Sequence, residues 1–280
     1  MPVFATPEPI SATIDVSIAD IRIVAGERAE TTVEIEPADP SEPEDVRAVA
    51  KTRVEFASGE LLVKGPKYAT KLWGKGGSLH VTVELPAGSR LRSTAAMGDI
   101  RVSGQVGDSR IKTSVGDIHL DEAARLEAST ATGDVSIERA TGHVEAHTGS
   151  GELRIREIDG TAVLKNSNGE TRVGEVTGDL RVNTANGDIF VSLAHASVHA
   201  KTASGDIRLN EVMRDSVVLE TAVGEIEVGV REGSAAWLEL NSLTGSVRNT
   251  LTPSEGPGGT TETVEVKAHT YTGDIVIRRA

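Results

Sequence analysis

No cysteine occurs among the 280 residues, which excludes disulfides, thiolate metal sites and a cysteine nucleophile. Aromatic residues are nearly as scarce, at 3 Phe, 2 Trp and 2 Tyr, so the core cannot be organised around large rings. Positive charge is also short: 29 Lys and Arg stand against 42 Asp and Glu. The net charge of -13 argues against unassisted binding to nucleic acid or to an anionic membrane surface. No apolar run reaches the length of a membrane-spanning helix, and MPVFATPEPISATIDV has neither a basic nor a continuously apolar leader segment. Together these absences lead us to expect a cytoplasmic protein.

What the chain does contain is 29 Gly and an abundance of Val, Ile, Leu and Ala, the composition of short strands stacked in thin layers. One phrase recurs. TANGDIFV, Thr184 to Val191, reappears as GDIRV at Gly98, GDIHL at Gly116, GDVSI at Gly133, GELRI at Gly151 and GDIRL at Gly205. The phrase glycines lie at 98, 116, 133, 151, 169, 187, 205, 224, 245 and 273, so successive spacings are 18, 17, 18, 18, 18, 18, 19, 21 and 28 residues. A fixed period of this size marks a solenoid.

Two and four residues after each glycine the side chain is almost always aliphatic, as at Ile100 and Val102, Ile189 and Val191, or Ile275 and Ile277. Seven and five residues before it the pattern repeats, as at Leu180 and Val182. Period-two alternation of this kind predicts two strands per turn, with two apolar side chains of the later strand pointing inward. Three residues before the glycine stands Thr113, Thr130, Thr148, Asn166, Thr184, Thr202, Thr221, Ser242 or Thr270. This predicts an internal ladder of hydroxyls, with one amide, satisfied by neighbouring turns or by backbone. Two short strands cannot bury an apolar face alone, so the turns must stack in parallel. The expected fold is an all-β parallel β-solenoid of about 18-residue turns, right-handed by the general preference of parallel crossovers.

Residues 1–95 read as an irregular β-rich region that caps or begins the coil. Ser17 to Ile23 already resembles the phrase, with Ala19 in the glycine position. Ser41 and Glu44 have capping-box form, so a short helix is expected near 44–52. Residues 96–280 read as regular repeats with a loop insertion near 251–261, closed at the end by Arg278 and Arg279.

The repeated phrase, the opening ThrProGluProIle from Thr6 and LeuProAlaGly from Leu85 together resemble the bacterial putative-adhesin family of β-strand-repeat proteins, a domain of unknown function. The resemblance covers nearly the whole chain. It implies a β-solenoid and supplies no catalytic residues and no cofactor.

Candidate chemistry is thin. The residue after the glycine is acidic in nine of ten turns, a column that could bind cations but that reads more simply as turn residues. Arg101, Arg154, Arg172 and Arg208 stand two residues further on and can neutralise it in rows. His143 with His147, and His195 with His199, sit four apart on strands, a span of about 13 Å and too far for one metal ion. The glycines at 74, 76 and 77 lack the Lys-Ser/Thr pair of a phosphate loop. No catalytic or metal set is assigned, and no cofactor.

The expected function is a non-enzymatic binding or scaffold protein that presents flat repeat faces to a protein, saccharide or cell-envelope partner, with self-association by end stacking. Its candidate contact residues are Asp188, Phe190, Arg172 and Arg208, with Trp73 and Trp237 on a smaller surface or capping the ends of the core. A β-helix carbohydrate-active lyase or hydrolase is the alternative, and it would need a cleft of close carboxylates between long loops.

Overall fold

The computed structural model describes residues 2–67, 76–252 and 262–280; Tyr68, Trp73 and most of the expected 251–261 insertion lie outside the described residues. Among the described residues one helix, Pro43–Lys51, accompanies 27 strands, and parallel strands stack in two sheets as the repeat requires. Contacts divide the chain into two compact units, Met1–Glu138 and Arg139–Ala280.

One turn of the C-terminal unit shows how the sequence builds the coil. Leu180–Asn186 runs along the return sheet, the chain corners at Gly187, and Ile189–Ala194 runs back along the phrase sheet. Ile189 lies in register between Thr171 and Ile207, and Leu180 between Ala162 and Val198, so each core side chain stacks on its counterpart one turn away. Leu180, Val182, Ile189 and Val191 are buried. A fully buried aliphatic side chain of this size contributes about 1.5 to 3 kcal/mol. The structure adds a third inward position that the alternation did not predict. Ser192 and Leu193 are both half-buried, which flips the phase and brings Ala194 inward. Ala123, Ala140, Ile158, Val176 and Val212 do the same in other turns and are buried.

The corner explains the invariance of the phrase. Gly187 has φ +144°, and a Cβ there would collide with the Gly169 carbonyl of the preceding turn. The backbone at the corner no longer makes every rung hydrogen bond, and side chains replace the missing ones. Thr202 Oγ1 donates to Gly187 O at 3.2 Å, Thr130 to Gly116 O at 3.1 Å, and Asn166 Nδ2 to Gly151 O at 3.1 Å. In the other direction the Asp188 carboxylate accepts the Asp206 N–H at 2.8 Å, and Asp117 accepts that of Asp134 at 2.8 Å. The expected polar ladder therefore exists, bonded mainly to glycine carbonyls, but Thr184 does not join it: its buried Oγ1 has no hydrogen-bond partner.

In the N-terminal unit the turn made by Ser11–Asp15 and Ala19–Gly26 starts the coil, with Ile21 in register with Ile100 and Ala19 standing where later turns have glycine. This first turn is not the outermost. Its strands lie between Glu60–Lys64 and Arg90–Thr94 in one sheet, and between Leu79–Pro86 and Ile100–Val106 in the other. Outside it, Glu30–Pro37 pairs antiparallel with Leu79–Pro86 and Arg53–Ala57 with Glu60–Lys64, Val3–Ala5 adds an edge strand beside Glu30–Pro37, and the stacked rings of Phe4 and Phe56, 5.0 Å apart, bridge the two edges. The helix packs on Glu30–Pro37 through Ala48. Its start departs from the expected capping box: the N-cap is Glu42 and makes no side-chain bond, while Ser41 donates to Asp39 instead. Buried Asp45 holds the segment by accepting the N–H groups of Asp39 and Ser78.

The C-terminal unit repeats this device. Thr263–Thr272 and Ile275–Arg279 lie between the turn 215–230 and the turn 235–249. Arg278 and Arg279 therefore do not close the coil, as the sequence suggested. They bind inside it, Arg278 to Glu227 at 2.7 Å and Arg279 to the carbonyls of Arg231 and Ser234. The edge belongs to Ala235–Thr244 and Val247–Asn249, which follow a crossover that leaves one rung vacant for the last segment to fill.

Three outcomes test this account. Gly187→Ala is expected to cost about 3 kcal/mol or more, from the backbone collision and the strained φ, read from urea unfolding midpoints. Gly26→Ala, where a Cβ meets nothing, is expected to change stability by less than about 0.5 kcal/mol. Truncation after Thr252 is expected to abolish amide protection across 235–249 while leaving 198–212 protected in hydrogen exchange.

Candidate functional site

The outward columns of the C-terminal unit fall into two kinds of surface. On the phrase sheet, Arg172, Phe190 and Arg208 are adjacent in register, and the Arg172 guanidinium lies 5.7 Å from the Phe190 ring centre. The sequence singled out these residues, and the fold brings them together. Their charges, however, are already engaged. Arg172 pairs with Glu170 at 2.6 Å, Arg208 with Asp206 at 3.5 Å, and Asp188 is bonded to the next turn's backbone. Trp237 is 66% exposed on the outward side of the edge strand, so it does not cap the core.

The return sheet carries a groove of about 370 Å³ running over several turns. Two outward columns line it. One holds His143, Thr161, Asp179 and Ser197; the other holds Val163, Arg181, His199 and Val218, in register one turn apart. Beneath the groove lie the buried Ala162, Leu180 and Val198. His143 Nδ1 meets Thr161 Oγ1 at 2.7 Å, whereas His199 Nδ1 is buried with no partner.

The groove holds unspent polarity. Many outward charges elsewhere pair along or between turns, as in Arg154 with Glu152, Lys201 with Glu220 and Lys267 with Glu265. Arg181 and Asp179 make no ion pair or side-chain hydrogen bond with any described residue. No spacing rule could have picked them out, because Arg181 occupies an ordinary outward position. The signal is the absence of an acidic partner in the turns above and below, Val163 and His199.

Asp39, Glu84, Glu220 and Asp274 all have carboxyls held below the ordinary range, first by hydrogen bonds from Ser41, Arg28, Lys201 and Ser246 respectively. A general acid needs the opposite shift. Among the described residues no three His, Asp or Glu side chains are grouped to hold a metal ion. The acidic column is occupied by backbone N–H groups, which gives its carboxylates a structural task.

The Glu220 pair carries a pH dependence. Because its folded pKa is depressed, its contribution is present above the ordinary carboxylate value and is lost as pH falls through the folded one. NMR titration is expected to find Glu220 below the ordinary value of about 4.3, and Lys201→Met is expected to return it toward that value.

A search of curated protein sequences finds no match. Among solved structures the chain is similar to a putative cell adhesion protein from Clostridium sporogenes ATCC 15579, at 11% identity and TM-score 0.28, covering 100% of this chain and 98% of that one. It is also similar to a putative adhesin from Bacteroides fragilis NCTC 9343, at 14% identity and TM-score 0.35, covering 100% and 95%. The Toastrack DUF4097 family model matches residues 11–278, from the first strand of the coil to the last. This chain, with its stacked parallel turns cornered on glycine, belongs to the Toastrack DUF4097 family.

Proposed function

We propose that this chain is a non-enzymatic binding or scaffold protein, and that the groove over Asp179, Arg181 and His199 is where its partner rests. The observation that carries the reading is that Asp179 and Arg181, which make no ion pair or side-chain hydrogen bond with any described residue, lie with His199 along one groove. A polar strand or glycan laid across the rungs meets an alternation of hydroxyl, carboxylate, guanidinium and imidazole about every 4.8 Å. Guanidinium and carboxylate side by side suit a ligand with both acceptors and donors, such as a cell-envelope peptide or saccharide, rather than a simple anion.

Rigidity favours the same reading. The groove is built on strands in register on both sides, so its side chains are placed before binding and little ordering entropy is lost. The reading is tested by capture from native extract on immobilised protein. Wild-type protein is expected to retain a partner that Arg181→Glu loses by at least about tenfold, the scale of one desolvated charged contact. Arg172→Glu, on the paired face, is expected to retain it. Equal capture by both variants, or turnover of the captured molecule, would remove the proposal.

A further inference from the structure

The two outermost edges are finished in different ways. At the N-terminal unit's edge the strands are short, antiparallel to their neighbours, closed by Phe4 on Phe56 and charged by the Arg53–Glu55 pair at 2.9 Å. Those are the devices that stop an edge from pairing. At the C-terminal unit's edge Ala235–Thr244 is ten residues long, has no proline or lysine, and carries Glu239 as its one charge. Leu238 and Leu240 face the core but are only half-buried, whereas Val266 and Ala268 one rung inward are buried. On the outward side Trp237 is 66% and Leu243 73% exposed.

The backbone of this strand has a defined parity. Ala235 N–H donates to Glu262 O, and in a parallel pair only alternate residues bond one neighbour. The odd residues thus face Thr263–Thr272, which leaves the N–H and C=O groups of Ala236, Leu238, Leu240 and Ser242 directed out of the sheet. A second strand docking antiparallel must use these even residues.

We infer that the partner for this edge is the same edge of a second copy, joined about a two-fold axis through Leu240. That register pairs Leu240 with Leu240 and Leu238 with Ser242, all with outward hydrogen-bonding groups. It sets Trp237 against the partner's Leu243 twice on the outer face, and Glu239 against Asn241, so no like charges meet. Shifting the axis to Leu238 or Ser242 shortens the overlap and separates Trp237 from Leu243. The contact is isologous and closes at two copies. The inference rests on the scaffold reading and gives it one specific partner, a second chain displaying a second groove.

Sedimentation velocity from micromolar to near-millimolar protein is expected to show the mass rising from 29.4 kDa to twice that value and no further. Leu243→Lys, at an exposed position that leaves the melting temperature unchanged, is expected to hold the chain monomeric where wild type is dimeric. Val3→Lys, on the other edge, is expected not to. Since the chain has no cysteine, register can be read directly. A mixture of Glu239→Cys and Asn241→Cys chains is expected to form the mixed disulfide well above either homodimer. A constant monomer, a dimer indifferent to Leu243→Lys, or an open series of masses that Val3→Lys abolishes would each overturn the inference. A monomer that still captures its partner through Arg181 would leave the scaffold reading standing; turnover of a groove-bound molecule would end that reading whatever the mass.

Discussion

The bond that nearly every turn sends to the carbonyl of the previous turn's glycine is the contact on which the coil depends. A parallel sheet can bend back on itself in one residue only if backbone groups at the bend leave the ladder, and a buried N–H or C=O left without a partner costs about 1 to 3 kcal/mol. Here the glycine adopts a conformation closed to other residues, a Thr or Asn three positions earlier in the next turn donates to its carbonyl, and an Asp one position later accepts the next turn's N–H. The bonds recur turn after turn, so the identity of each residue is fixed by its neighbour above and below. This is why a phrase that looks chemical, with its aligned carboxylates and hydroxyls, is consumed by architecture.

Much of the fold was legible for the same reason. Ile189 and Val191, or Leu180 and Val182, announce their inward direction by simple alternation, and the glycine period gives the turn length. Ala194 was not legible, because two consecutive half-buried residues precede it and alternation has no term for a change of phase. The helix was visible but its cap was not: Ser41 found Asp39, two residues away, before it found the helix N-terminus. Nor could sequence order reveal that 263–279 sits one rung inside its edge, or that 11–26 lies two strands inside its edge in one sheet and three in the other. Every turn presents nearly the same aliphatic columns, so stacking on one neighbour is nearly as good as stacking on another, and the choice is made by the lengths of the connections.

The outward surface follows a different rule. Where acidic and basic columns alternate, as at Glu170 with Arg172 or Glu220 with Lys201, exposed pairs of small individual worth neutralise one another and leave little to recognise. Sequence drew attention to Arg172, Phe190 and Arg208 because Phe190 breaks a column, yet the break is absorbed by a ring lying near a guanidinium. The more informative break is Arg181, whose neighbours Val163 and His199 offer it no counter-charge. In a repeat protein, function is sought where a residue keeps the pattern of its own turn and loses the partner that the pattern normally supplies.

Intercalation of both terminal segments has an energetic logic. A strand at an edge has one neighbour and frays first; a strand one rung inside has two, and its amides are bonded on both sides. Placing 263–279 inside hands that edge to an internal stretch that the chain enters and leaves through covalent connections, whereas the N-terminal unit's edge is Val3–Ala5 in one sheet and Arg53–Ala57 in the other. The arrangement stabilises the termini without spending aromatic residues on two caps. The N-terminal unit uses its Phe pair for the one edge it closes, and the scarcity of rings is consistent with the other edge being left as paired-strand chemistry, aliphatic inside and Trp237 outside. An open edge kept rigid by a buried rung beneath it differs from a frayed one: its outward N–H and C=O groups hold fixed positions, and fixed positions are what selective pairing requires.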